Sequence, residues 1–365
     1  MTKKQGLHER KTIILRTFLT ILLASLGFMV VRGQQVRIET KATSQISLPK
    51  NAIQRLLVQS DGKILIGHIL RSKDTLIVAL PGKKLIRLPY RFQAIISYDG
   101  STIIQYGDKM MLDLPKHLDV YWINNDGKEK AEVVNHYSGD TYLDMSSDGY
   151  TAIGGTLLDK SNESTISVYS PDGIKLWETK VANNRHVAQL NVTKLGSTVV
   201  VVTTDAQKKL DKHQLDIYDG SGKLQSEIKD LGIIQRVVIV GNETKLFFQG
   251  LEYYGMIDAT SGRVLWKSSR KLTMVSPYGA ALSPDGKKLF LVVVQPEGKR
   301  TGTYQWKFII TDASTGQEMG SQIITGKYPA TWGRIFESVN DNSITVLASD
   351  ARIIITVGSE KGGSQ

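Results

Sequence analysis

Beyond residue 35 the chain alternates short runs of β-branched and apolar residues with clusters of turn formers, and the three-to-four-residue spacing of an amphipathic helix is nowhere sustained. Strands are predicted at residues 64–69, 75–80, 198–203, 289–294 and 343–347, among others. Two interleaved series of tight turns punctuate them. The first is Asp61-Gly62, Asp99-Gly100, Asp148-Gly149, Leu195-Gly196, Gly241-Asn242, Asp285-Gly286 and Asn340-Asp341-Asn342, spaced by 38 to 55 residues. The second falls between them: Pro81-Gly82, Asp126-Gly127, Asp172-Gly173, Gly220-Ser221-Gly222, Ser261-Gly262 and Thr315-Gly316. Hairpins demand such residues because backbone with φ > 0 goes to Gly, Asn or Asp.

Each period is therefore four strands, a to d, with the first series joining a to b and the second joining c to d. Four-stranded units at this period predict an all-β, seven-bladed β-propeller, in which every sheet buries both faces against its neighbours. A tandem set of β-sandwiches is the alternative. The seventh unit has an a–b turn but no c–d turn, so it lacks an outer strand. One alternating segment, residues 35–40, is left over upstream; paired with residues 351–357 it would complete the last blade and leave no open edge. The expected division is residues 1–33 as signal or anchor, 34–357 as propeller and 358–365 as a flexible tail.

Certain segments resemble known repeats. Ile257-Asp258-Ala259-Thr260-Ser261-Gly262-Arg263-Val264-Leu265-Trp266 is similar to the repeat of pyrroloquinoline-quinone-type propellers, with an acidic residue, a turn Gly and a docking Trp. Thr311-Asp312-Ala313-Ser314-Thr315-Gly316-Gln317-Glu318 matches the first half, with Met319 read where a Trp would stand. Ser170-Pro171-Asp172-Gly173 and Ser283-Pro284-Asp285-Gly286 resemble the hairpins of WD-like and TolB-like propellers. The resemblance implies a fold and a structural task for these letters: Asp and Gly make the turn, and Trp177 and Trp266 wedge between blades. The quinone-dependent members would imply a Ca²⁺ and a quinone near the axis, but no position here is assigned to such a clamp.

Composition narrows the chemistry. With no Cys there is no disulfide, thiolate nucleophile, Cys-zinc site or vicinal-Cys quinone site. The six His (8, 68, 117, 136, 186 and 213) have no zinc-ligand spacing. Asn124-Asn125-Asp126-Gly127 lacks the later bidentate Glu of a calcium loop and reads as a turn. Nucleophile-elbow and phosphate-loop motifs are absent. No catalytic residue, metal or cofactor is expected. Of the formal +11 charge, residues 1–33 hold six basic residues and one acid, leaving about +6 for the rest; nucleic acid is not implied.

Lys3, Lys4, Arg10 and Lys11 precede about 15 apolar residues, the pattern of a secretory signal cut before Gln34. An uncleaved membrane anchor through residues 12–31 is the alternative; both put the body of the chain outside the cytoplasm, periplasmic or secreted. The sequons at Asn162, Asn191 and Asn242 matter only in a secretory host.

The long connections, residues 157–165, 205–214 and 295–303, all join strand b to strand c. They share one rim with the d–a connections, opposite the tight turns. That rim gathers Arg91, Arg185, His186, Lys208, Lys209, Lys212, Arg270, Lys271, Lys299, Arg300, Tyr328 and Trp332. Cations beside aromatics suit a protein, acidic peptide or glycan partner. The expectation is an exported, non-catalytic binding or scaffold module of an envelope or cell-surface assembly. The alternative is a quinone- or Ca-dependent dehydrogenase or lactonase with an axial site.

Overall fold

The computed structural model describes residues 36–45, 52–58, 64–71, 75–80, 82–89, 93–108, 117–157, 163–181, 185–205, 213–241, 243–269, 275–296, 304–324, 334–340, 343–348 and 351–359. They form antiparallel strands and, among the described residues, no α-helix. After β1 (Val36–Gln45), the first sheet runs β2 (Ala52–Val58), β3 (Ile64–Arg71), β4 (Thr75–Ala79), β5 (Ile86–Pro89). Next come β6 (Gln93–Ile96), β7 (Thr102–Asp108), β8 (His117–Asn124), β9 (Glu129–Met145), β10 (Thr151–Leu157), β11 (Ser164–Tyr169) and β12 (Lys175–Lys180), all in one seven-stranded sheet.

Three four-stranded meanders follow. One is β13 (Arg185–Val192), β14 (Thr198–Asp205), β15 (His213–Asp219) and β16 (Leu224–Ile228). Another is β17 (Ile234–Val240), β18 (Lys245–Gly250), β19 (Tyr254–Asp258) and β20 (Val264–Ser268). The third is β21 (Val275–Leu282), β22 (Lys288–Pro296), β23 (Tyr304–Asp312) and β24 (Glu318–Ile324). The last sheet, β25 (Arg334–Asn340), β26 (Ser343–Ala348) and β27 (Ala351–Ser359), takes β1 as its fourth strand. Val36 lies opposite Ser359 and Gln45 opposite Ala351, with one bulge between. The upstream segment thus pairs with the C-terminal strand, as its alternation predicts.

The seven-stranded sheet is a departure. The two turn series predict a d–a connection between Asp126-Gly127 and Asp148-Gly149, but β9 runs unbroken for 17 residues there. Its first part pairs with β8, out to His136 opposite His117; its second pairs with β10, beginning with Tyr137 opposite Leu157. Residues 129–145 contain no Pro to remove a ladder donor, and the strand continues through Asn135 and Ser138-Gly139-Asp140, which read as turn formers in the sequence.

Burial follows position within a sheet. In β14, Val199 to Thr203 are all buried, and in β18 so are Leu246 to Gly250. These middle strands are covered on both faces, at about 1.5–3 kcal/mol for each buried Val, Leu, Ile or Phe side chain. The fourth strands mix exposed and half-buried positions, with few fully buried ones. Sheets touch through their first strands, β9 and β10 against β13, β13 against β17, β17 against β21 and β21 against β25, while β1 lies beside β24.

Between sheets one contact recurs with the repeat. The residue four after each c–d turn glycine packs on the turn glycine of the next repeat: Ile86 on Gly127, Ala131 on Gly173, Trp177 on Gly222, Ser226 on Gly262 and Trp266 on Gly316. At each seam a Cβ on the glycine would stand less than 3 Å from its partner. Trp122 adds its bulk where the packing residue is only Ala131. The equivalent position after Gly316 is Gly320, opposite Ile310 in register, as Trp266 is opposite Met256. The Trp-equivalent site is therefore Gly320, one residue beyond Met319: both repeats carry the same bulge at the turn, and the site falls four residues past the turn glycine in each.

Candidate functional site

Two polar regions are built on the strands, one at the rim of the b–c and d–a connections and one along the first strands. The rim region starts with Arg185, the first residue of β13. Its Nε donates to Thr203 Oγ1 at 2.8 Å and a terminal nitrogen donates to the Thr203 carbonyl at 3.0 Å. Thr203 Oγ1 in turn lies 3.4 Å from Asp216 Oδ2, and Gln214 Nε2 donates to Asp216 Oδ1 at 2.5 Å.

Asp216 is almost fully buried. Burial pushes its carboxyl up and the facing Glu227 adds to that, whereas the Gln214 amide, the Arg185 charge and the Thr203 hydroxyl pull it down. His213 Nδ1 accepts the Ile234 N–H at 3.0 Å, and burial holds its ring below the usual imidazole range. At neutral pH the imidazole is uncharged, an acceptor towards β17. These bonds tie all three inner strands of one sheet to the start of the next, at the two ends of connection 206–212. Beside them, His186 Nδ1 shares a 2.7 Å hydrogen bond with Thr156 Oγ1 and lies 3.4 Å from Ser164 Oγ.

Of the twelve rim residues predicted from sequence, Arg185 and His186 are thus half-buried strand residues whose polar atoms bind neighbouring strands. Arg91, Lys208, Lys209, Lys212, Arg270, Lys271, Lys299, Arg300, Tyr328 and Trp332 lie outside the described residues. So do Asn162, Asn242 and the N-terminal segment. Thr203, Gln214 and Asp216 are not predicted. Their signal is faint: Asp216 is one carboxylate inside the apolar run Leu215-Asp216-Ile217. The strand ends also add an eight-residue b–c connection between β7 and β8, residues 109–116, which the turn series does not reveal.

The first strands are too far apart to pair, and side chains bridge them. Gln189 Nε2 donates to the Val237 carbonyl at 2.7 Å and its Oε1 accepts the Val237 N–H at 3.2 Å, so one carboxamide stitches β13 to β17. Asp144 Oδ2 accepts the Val192 N–H at 3.0 Å, stitching β9 to β13. Gln189, Val237 and Asp144, with Tyr142, Asn191 and Arg236, line a cleft of about 200 Å³. It offers amide, phenol, carboxylate and guanidinium groups suited to water or a small polar ligand. Asn191 accepts from Gln189 Nε2 at 3.2 Å and sits half-buried in the cleft wall, an unsuitable place for a glycan. Among the described residues no group of three or more His, Asp or Glu could hold a metal ion.

No protein family and no curated protein matches the sequence. Solved structures do match the fold. A chain from "Crystal Structure of Mitotic Checkpoint Complex" is 12% identical with a TM-score of 0.50, over 90% of this chain and 96% of that one. "KlHsv2 with loop 6CD replaced by a Gly-Ser linker" is 10% identical with a TM-score of 0.54, over 82% and 90%. The fold these structures share with this chain is the β-propeller.

Proposed function

We propose that the chain is an exported, non-catalytic propeller that binds a protein partner through the rim of its b–c and d–a connections, within an envelope or cell-surface assembly. Counting the fused sheet as two blades gives seven, with β1 as the outer strand of the last. The observation that carries the reading is the bonded frame at that rim. Arg185, Thr203, Gln214, Asp216 and His213 hold the strand ends on either side of residues 206–212, the stretch of sequence that carries Lys208, Lys209 and Lys212. Fixed supports lower the entropy lost on binding. Pyrroloquinoline-quinone-like ancestry of the repeats is part of the proposal; the Asp258 and Asp312 turns and the Trp266 seam support it.

The test is capture from an envelope fraction by the exported protein. Replacing Lys208, Lys209, Lys299 and Arg300 by Glu abolishes capture if the rim binds an acidic partner; undiminished capture refutes the reading. N-terminal sequencing of the exported protein checks the cut before Gln34.

A further inference from the structure

The opposite rim, formed by the a–b and c–d turns, holds a cluster that breaks the rule of its own repeat. Directly after the c–d turn glycine, five repeats carry Lys83, Lys128, Lys223, Arg263 and Gln317, all polar; one carries Ile174, which is 65% exposed. Directly before the a–b turn glycine, Asp99, Asp148 and Asp285 recur; the next repeat has Leu195, which is 68% exposed. The two departures adjoin each other. Leu176, half-exposed and two residues beyond Ile174, has its Cδ1 3.9 Å from where a Cβ on Gly196 would stand.

Leu195 is disfavoured twice. Its backbone is left-handed, at φ 58° and ψ 9°, where a non-glycine residue other than Asn or Asp carries about 1–2 kcal/mol of strain. Its isobutyl group faces water at the position where Asp99, Asp148 and Asp285 place a carboxylate in other repeats. Partners from two neighbouring repeats fix the turn: Asp148 Oδ2 accepts the Leu195 N–H at 3.0 Å, and Glu243 Oε2 accepts the Lys194 N–H at 2.7 Å. An apolar side chain is held outward at a conformational cost, as expected of a contact residue.

Charge identifies the occupant. Lys175 stands between Ile174 and Leu176, Lys194 precedes Leu195, and Lys223 follows Gly222, which packs on Trp177. The nearby acids are engaged internally: Asp148 and Glu243 by the turn, Asp172 by Lys130, and Glu178 by Lys175 and Ser167. Lys194 and Lys223 are exposed and have no ion-pair partner among the described residues. We propose that Ile174, Leu176 and Leu195, bordered by Lys194 and Lys223, dock an amphipathic acidic segment of a partner protein, its apolar side chains on the cluster and its carboxylates on the lysines. This site lies on the rim opposite the proposed loop site and is independent of it.

The test uses fluorescein-labelled acidic amphipathic peptides, Leu and Phe interspersed with Asp and Glu, and the whole protein. Fluorescence anisotropy is expected to show saturable binding that weakens about tenfold or more in Ile174→Lys/Leu195→Asn, the loss expected of apolar anchors. The same variant is expected to keep or raise its thermal midpoint, because Asn tolerates the left-handed turn better than Leu; binding lost without stability lost marks a contact surface rather than a folding defect. The charge reversals at Lys208, Lys209, Lys299 and Arg300 leave peptide binding intact. The proposal is overturned if the wild type binds none of the peptides, or if the double variant binds them equally well. Equal binding of Lys-for-Glu peptides overturns it too. Self-association, or binding to phosphatidylserine vesicles, that the double variant loses would assign the cluster to a second copy or to a membrane instead.

Discussion

The seams between sheets β13–β16 and β17–β20, and between β17–β20 and β21–β24, solve one packing problem in two ways. In the second, Trp266 lies on Gly316, meets Tyr254 edge-on at 5.7 Å and donates from Nε1 to the Ala313 carbonyl at 2.7 Å. In the first, Ser226 lies on Gly262 and its hydroxyl donates to the Ser261 carbonyl at 3.2 Å. The glycine is constant and the packing residue varies from Trp to Ser. What the repeat preserves is the gap, and the indole is one of several ways to fill it.

The strongest way to break this comparison is Trp266→Ala. Loss of the edge-on ring contact and the hydrogen bond is expected to cost about 3–5 kcal/mol in urea unfolding, against about 0.5 kcal/mol for Ser226→Ala. Gly316→Ala is expected to cost about 2–4 kcal/mol, because the new methyl would stand 2.5 Å from Trp266 on a backbone at φ +73°. Gly82→Ala has the same backbone, φ +72°, but meets nothing within 4 Å, so about 1 kcal/mol of strain is its whole expected cost. A double-mutant cycle sharpens the point: in the Trp266→Ala background Gly316→Ala should fall to that same value of about 1 kcal/mol. Full cost in both backgrounds would mean that the seam is not what makes Gly316 necessary.

These seams also show how far the sequence reaches. Of the described turn glycines in the two predicted series, all but Gly220 have positive φ, because a tight turn writes its need directly into one residue. The Trp266 wedge is equally legible. The Ala131 and Ser226 seams are not, since a small side chain carries no sign that a neighbouring glycine rests on it. Fusion of two meanders through β9 is hidden for a different reason: Ser138-Gly139-Asp140 reads as a turn, yet the strand runs on through it. The rim frame is half visible, with Arg185 and His186 legible as polar rim residues, but their bonds to Thr203 and Thr156 depend on register across strands.

The smallest expected effects are in pH. Backbone N–H and hydroxyl donors of Ser261 hold the Asp258 carboxyl below its usual range, and the Ser314 hydroxyl leads the same effect at Asp312. Their contribution is present above the unfolded carboxyl pKa near 4 and is lost as pH falls through the lowered folded values. Asp216 runs the other way. Its raised folded pKa favours the folded state most below about pH 4, and the advantage fades as pH rises through the folded value. Relative to wild type, Asp216→Asn should therefore gain stability from pH 4 towards 7 in thermal melts. A flat difference would mean that the carboxylate is not strained by its burial.

The pairing of β1 with β27 joins residues more than 300 positions apart. During synthesis β1 must wait for β27. Until then a ten-residue segment with open hydrogen-bonding groups is available to any other unpaired strand, and late, long-range closure of this kind is slow. A chaperone that shields residues 36–45 would thus be worth more to this chain than one acting at its interior, and truncation of the last few residues of β27 should appear first as poor yield.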